Sequence, residues 1–159
     1  MRALIFSDSH GNINNMISVI ELNRGHAEYI FHLGDIERDI DDIRSCYPSF
    51  KVEGVCGNND WRPQGVSELI LTIGKHRVMM THGHLYGVKQ GLSRLLEKAK
   101  NEGVDVLLYG HTHIPFCHEV EGILVMNPGS ISRPNGGRAS FGSLDFLENT
   151  VVGKITEIE

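Results

Sequence analysis

Two histidines, His111 and His113, stand two residues apart in "LLYGHTHIPF", where an apolar run ends at Gly110. Imidazole is the commonest side-chain metal ligand, but it is also an intermediate residue for burial, so one pair is weak evidence of a site. The arrangement recurs along the chain. "SDSHGN" sets Asp8 and His10 after Phe6, and "LGDIE" sets Asp35 after "YIFH". "GNND" sets Asn58, Asn59 and Asp60 after "EGVC", and "THGH" sets His82 and His84 after "VMM". Side chains of this kind, brought together, can hold metal ions.

Each placement also has an ordinary structural explanation. Asp8 and Asp35 are well suited to cap the helices after them. "GNND" reads by itself as a turn, because Asn and Gly tolerate left-handed backbone. Five such coincidences at the ends of five apolar runs are improbable together, and the set points to one site. His26, His32, His76 and His118 have no partner spacing, and Trp61 reads as a packing residue.

The elements that must position these groups can be read from hydrophobic period. "ALIF", "YIFHL", "KVEGVC" and "VDVLLY" read as short strands ending at glycine or polar residues. Ile13, Met16, Ile17 and Ile20, and again Leu92, Leu95, Leu96 and Ala99, recur at helical spacing, with Gly25 and Gly103 as stops. Hairpins are expected at Gly74–Lys75, Glu121–Gly122 and Glu148–Asn149. An α/β first part and then a β-rich second part predict two packed sheets with helices outside. On extended backbone, alternate side chains share a face, so Asp8 with His10, His82 with His84 and His111 with His113 could each project to one side. Ligands of α/β sheets sit beyond the carboxyl ends of strands, and Gly11, Gly34, Gly57, Gly83 and Gly110 would allow tight turns there.

Composition bounds the function. A chain of 159 residues, 40% hydrophobic and 22% charged, predicts a single folded domain over 1–159 with a substantial core. A net charge of −5 argues against a broad basic surface for long nucleic acid and leaves a small phosphate-bearing substrate open. Cys46, Cys56 and Cys117 show no CxxC spacing, which fits a reducing cytoplasm rather than a disulfide framework. No apolar run approaches a membrane span, and the start of the chain turns polar too early for a secretory leader.

The ordered series D-x-H, G-D, G-N-N-D, H-G-H and G-H-x-H, from Asp8 to His113, resembles the calcineurin-like metallophosphoesterases. "THGH", "GHTH" and "NPGS" are similar to the small phosphodiesterase branch that includes the YfcE-type proteins and the vacuolar sorting protein 29 scaffold. The resemblance implies a four-layer α/β/β/α sandwich. It implies that Asp8, His10, Asp35 and His113 hold one ion, that Asp35, Asn58, His82 and His111 hold a second, and that Asp35 bridges the pair. His84 would face phosphate or the ligands' surroundings, and Asn127–Ser130 would close one side of the cleft. Oxygen and imidazole donors suit two divalent ions, Mn first, with Ni, Co, Fe, Zn or Mg as alternatives. Ions roughly 3.5–4 Å apart would activate a bridging water for in-line attack on phosphorus and clamp the phosphoryl oxygens.

The chain departs from the larger phosphatases at Asn59, where their motif has a histidine associated with protonating the leaving group. An amide cannot be a general acid, so diesters with good leaving groups are expected as substrates, with Asp60 and His84 as the other catalytic candidates. The expected partners are a small phosphodiester and, in assembly, a homodimer or higher homo-oligomer, with no long nucleic acid and no membrane. The competing class is a noncatalytic metal-binding scaffold of the sorting-protein type, against which the intact His10 and His82 count.

Overall fold

The computed structural model describes residues Met1–Glu159. In chain order the elements are β1 (Arg2–Phe6), α1 (Asn14–Leu22), β2 (Tyr29–His32), α2 (Glu37–Cys46), β3 (Lys51–Gly54), β4 (Glu68–Ile73) and β5 (His76–Thr81). Then come a 3-10 turn (His84–Tyr86), α3 (Ser93–Glu102), β6 (Val106–Leu108), β7 (Phe116–Val120), β8 (Ile123–Asn127), β9 (Ser140–Phe146) and β10 (Val151–Glu157). They form two five-stranded mixed sheets, ordered β10-β9-β1-β2-β3 and β4-β5-β6-β8-β7. The three hairpins expected from turn residues are the β4–β5, β7–β8 and β9–β10 pairs.

Residue alternation in the strands builds the layers. In β1, Ala3 and Ile5 point between the sheets, where they meet Val78, Met80, Val106 and Leu108 of the second sheet. Leu4 and Phe6 point the other way, onto Met16 and Ile20 of α1 and Ile40 and Ile43 of α2. On the far side Met79, Leu107 and Val125 pack against Leu95 and Ala99 of α3. The result is the α/β/β/α sandwich. Burying a side chain the size of Leu or Ile stabilises by about 1.5–3 kcal/mol, so these three clusters supply most of the drive to fold. No helix is long and apolar enough to cross a membrane.

Strand direction positions the site. β1, β2 and β3 run parallel in one sheet, and β5, β6 and β8 run parallel in the other. Their carboxyl ends therefore release Ser7–His10, Leu33–Asp35, Val55–Asp60, His82–His84 and Tyr109–His113 together. The cap positions of α1 and α2 are Ile13 and Ile36, neither with a side-chain cap, so Asp8 and Asp35 cap nothing. Trp61, expected in the packing, is instead 87% exposed, because its loop runs outward after Asp60.

Candidate metal centre

Donor atoms of Asp8, His10 and His113 lie within 4.8 Å of one another, and so do those of Asp8, Asp35 and His82. Asp8 belongs to both groups. Asp35 reaches both as well: its Oδ1 is 3.8 Å from His82 Nε2 and its Oδ2 is 3.7 Å from His10 Nε2. Asn58 joins on the second side, its Oδ1 3.0 Å from His82 Nε2. His111 stands with its ring 5.0 Å from that of His82, while its amide N–H donates to Asp8 Oδ2 at 3.1 Å. His84 packs 5.4 Å from His82 and 6.1 Å from His111, ring to ring.

The loops reach this arrangement by a different route from the one expected. Asp8, His10, His111 and His113 do not sit on extended backbone; their φ angles are 56°, 49°, 69° and 58°. Left-handed backbone brings Cβ close to the next carbonyl, so it is rare outside glycine and costs roughly 1–2 kcal/mol per residue. These residues project together because the chain turns at each of them, not by strand alternation. The glycines divide as well. Gly11, Gly34 and Gly83 take positive φ, but Gly57 and Gly110 do not. They are needed for space: a Cβ on Gly110 would collide with Ser7 Oγ, and one on Gly57 would come 2.7 Å from Asp35 Cα.

Polar residues of the "NPGS" segment, with Ser132, Ser9, His32 and Asp39, hold the strained loops. Ser130 and Ser132 donate from their hydroxyls to the Asp8 carbonyl at 2.8 and 3.2 Å. Asn127 donates to the Gly110 carbonyl and to Thr112 Oγ1, both at 3.0 Å. Asn127 and Ser130 are buried, so the "NPGS" segment braces the ligand loops from below. Arg133, Pro134 and Asn135, which follow that segment, line the cavity beside His111 and His113. Ser9 donates to Asp39 Oδ2 at 2.5 Å and sits 2.9 Å from His32 Nε2, and Gly11 N–H donates to the same Asp39 oxygen at 2.9 Å. Since His32 Nδ1 accepts from Gly34 N–H, its proton is on Nε2 and is donated to Ser9. The one signal for this relay in the sequence is a histidine inside the apolar run "YIFHL".

The imidazoles are oriented by backbone carbonyls. His82 Nδ1 is 2.7 Å from the Leu33 carbonyl and His113 Nδ1 is 2.6 Å from that of Arg133, and since a carbonyl only accepts, Nδ1 carries the proton in both. Each Nε2 therefore faces the carboxylates, as a metal-ligating histidine requires. Asn59 donates from its backbone N–H to Asp35 Oδ1 at 2.9 Å and from its side chain to Asp35 Oδ2. Asp60 accepts from Gly57 N–H at 2.8 Å and from Glu37 N–H at 2.6 Å, which ties the loop to the start of α2.

Electrostatics favour the cation-binding forms of His10, His111 and Asp8. Burial, helped by His82, holds His111 down to about 4, and burial also lowers His10 and His84. Imidazoles that resist protonation keep a lone pair free. Burial pushes the Asp8 carboxyl up, but His113, His82 and Ser7 together outweigh it and hold it below its ordinary value. The Asp8 carboxylate in turn raises His113. Asp8 Oδ1 is fully buried without a hydrogen-bond partner, although Nε2 of His113 lies 3.1 Å away and that of His82 3.8 Å away.

The sequence carrying this geometry matches the calcineurin-like phosphoesterase superfamily domain over residues 1–149. The chain belongs to that superfamily. It is 34% identical over 150 residues to the probable metallophosphoesterase YsnB of Bacillus subtilis, covering 94% of this chain and 86% of that one. It is 32% identical over 173 residues to the phosphodiesterase YfcE of Escherichia coli, covering 91% and 88%. A crystal structure of a predicted phosphoesterase from Streptococcus pneumoniae superposes with a TM-score of 0.83 at 25% identity, over 98% of this chain and 88% of that one.

Proposed function

We propose that this protein is a phosphodiesterase that uses two divalent ions, manganese first among them, to hydrolyse small phosphodiesters. The observation that carries the reading is Asp8 Oδ1, a carboxylate oxygen buried among imidazole nitrogens with no hydrogen-bond partner. With the ring protons of His113 and His82 on Nδ1, two Nε2 lone pairs face this oxygen, and a cation among them satisfies all three acceptors. The residues fit the ions the family implies: Asp8, His10, Asp35 and His113 would hold one, and Asp35, Asn58, His82 and His111 the other. When bound, the ions supply positive charge that acidifies water and balances the phosphate. The likeness to the phosphodiesterase of Escherichia coli supports the diester as substrate class.

The chain's own residues then do three things. Leu33 and Arg133 carbonyls fix the faces that His82 and His113 present, and Asn59 fixes the Asp35 carboxylate. His84, lowered by burial, packs its imidazole beside His82 and His111, and is the candidate to meet the ester. Asn59 has no proton to give, so the leaving group departs largely with its own charge, and good leaving groups react fastest.

The test is metal analysis together with turnover of bis(4-nitrophenyl) phosphate by the manganese-loaded protein. Two ions per chain and chelator-sensitive turnover are expected. A protein that binds the ions and turns over neither diesters nor monoesters would be a scaffold, and the enzyme reading would fall.

A further inference from the structure

A cavity of about 720 Å³ opens beside His111 and His113. That volume lies within the roughly 300–1,000 Å³ of sites that enclose small organic ligands, and exceeds what a phosphoryl group alone needs. Its charge is unlike that of the rest of the protein. The chain has 20 acidic residues against 15 Lys and Arg, yet none of the lining residues is acidic and two, Lys89 and Arg133, are cationic. Neither forms an ion pair; the other lysines and arginines that do are Arg2, Arg24, Arg38, Arg44, Lys75, Lys98 and Lys100. Phe116, Pro115 and Pro134 give the same lining an apolar part.

Resting on the phosphodiesterase reading, we infer that this cavity takes one ester arm of the substrate, an arm bearing a flat ring and a second anionic group, as in a nucleoside carrying a further phosphate. The ions serve the reacting phosphate, so two unpaired cations beside it are left for a different anion. Phe116 and the two prolines offer a ring the apolar face that solvent would not, and Thr112 and Asn135 supply neutral hydrogen-bonding groups at the same wall.

The experiment compares two substrates on the manganese-loaded protein: the 4-nitrophenyl ester of thymidine 5′-phosphate, and the same ester carrying a 3′-phosphate. The added phosphate is expected to raise kcat/KM about tenfold, mostly through KM, as charge-assisted contacts do, with the advantage shrinking at high salt. In Lys89→Ala and Arg133→Ala that advantage is expected to fall to about twofold or less, as the paired charge is lost. Equal kcat/KM for the two esters, or an advantage that survives both substitutions, would overturn the inference. Calorimetric binding of thymidine 3′,5′-bisphosphate against thymidine 5′-phosphate gives a readout that needs no turnover. A bisphosphate preference lost in both variants, with no diester hydrolysed, would leave the cavity standing and sink the enzyme reading alone.

Discussion

The two sides of the metal centre solve one problem differently. On the side of Asp8, His10, His111 and His113 the functional residues themselves carry the left-handed backbone. On the side of Asp35 and His82 the strain falls on glycines next to them, Gly34 at φ 88° and Gly83 at φ 99°, where it costs little. The difference shows in what surrounds each side. The strained loops are tied by Ser130, Ser132, Asn127 and the Ser9–Asp39–His32 relay, whereas His82 needs a single carbonyl and Asp35 its two bonds from Asn59. Side chains held in disfavoured backbone persist only when their surroundings over-determine them, and here the determining contacts can be counted.

If the strained side is the one on which both ion sites depend, breaking it should cost most. Asp8→Asn should release metal from the position it shares with His10 and His113 and lower turnover about a thousandfold, the scale of losing a buried charge from its network. Asn58→Ala, on the relaxed side and at a neutral ligand, should cost about tenfold, the scale of a weaker ligand-shell contact. Metal stoichiometry and kcat for the two variants check this, and equal losses would erase the asymmetry.

The next effect separates space from backbone freedom within the strained side. Gly110→Ala drives a Cβ into Ser7 Oγ and to 3.0 Å from Asp8 Oδ2, so overpacking should destabilise the fold by about 2–3 kcal/mol. Gly11→Ala has φ 78° but nothing within 4 Å, so only the backbone penalty of about 1 kcal/mol applies. Urea unfolding of both variants gives the two numbers directly.

The smallest effect probes the relay beneath the strained loops. Burial, partly offset by Asp39 and Asp8, holds His32 near 4 in the folded chain against an ordinary 6.5. Below pH 6.5 the unfolded chain takes up a proton that the folded chain refuses until about pH 4, so stability falls as pH falls through that window. Between pH 7 and pH 5 the loss should be about 2 kcal/mol, from 1.36 kcal/mol per pKa unit. In His32→Gln this share of the pH dependence should vanish, as read from denaturation midpoints at the two pH values in the presence of a chelator.

Strands and hairpins are legible because their signals are local: an apolar run, a glycine, a turn pair. The helix Glu37–Cys46 is signalled only by the position of Asp35 before it, since its buried Ile40 and Ile43 are diluted by charge in "ERDIDDIRSC". The candidate donors stand out because polar residues follow the apolar runs, and it is the resemblance to the phosphoesterases that names seven of them as ligands. Their braces do not stand out. Ser130 meets Asp8 across 122 residues, and a serine in a loop carries no sign of such a partner.

By itself the sequence determined the inventory and its order: which donors exist, and that each comes just after a strand-forming apolar run. Hydrophobic period acts over a few residues, so it can be read without the fold. The tertiary structure alone decided how the donors meet. It turned Asp8, His10, His111 and His113 through left-handed backbone, required Gly57 and Gly110 for their lack of a side chain, and left Asp8 Oδ1 buried without a partner. Those outcomes come from two sheets closing on one another, and the contacts that compensate the strain exist only once segments far apart in the chain are pressed together.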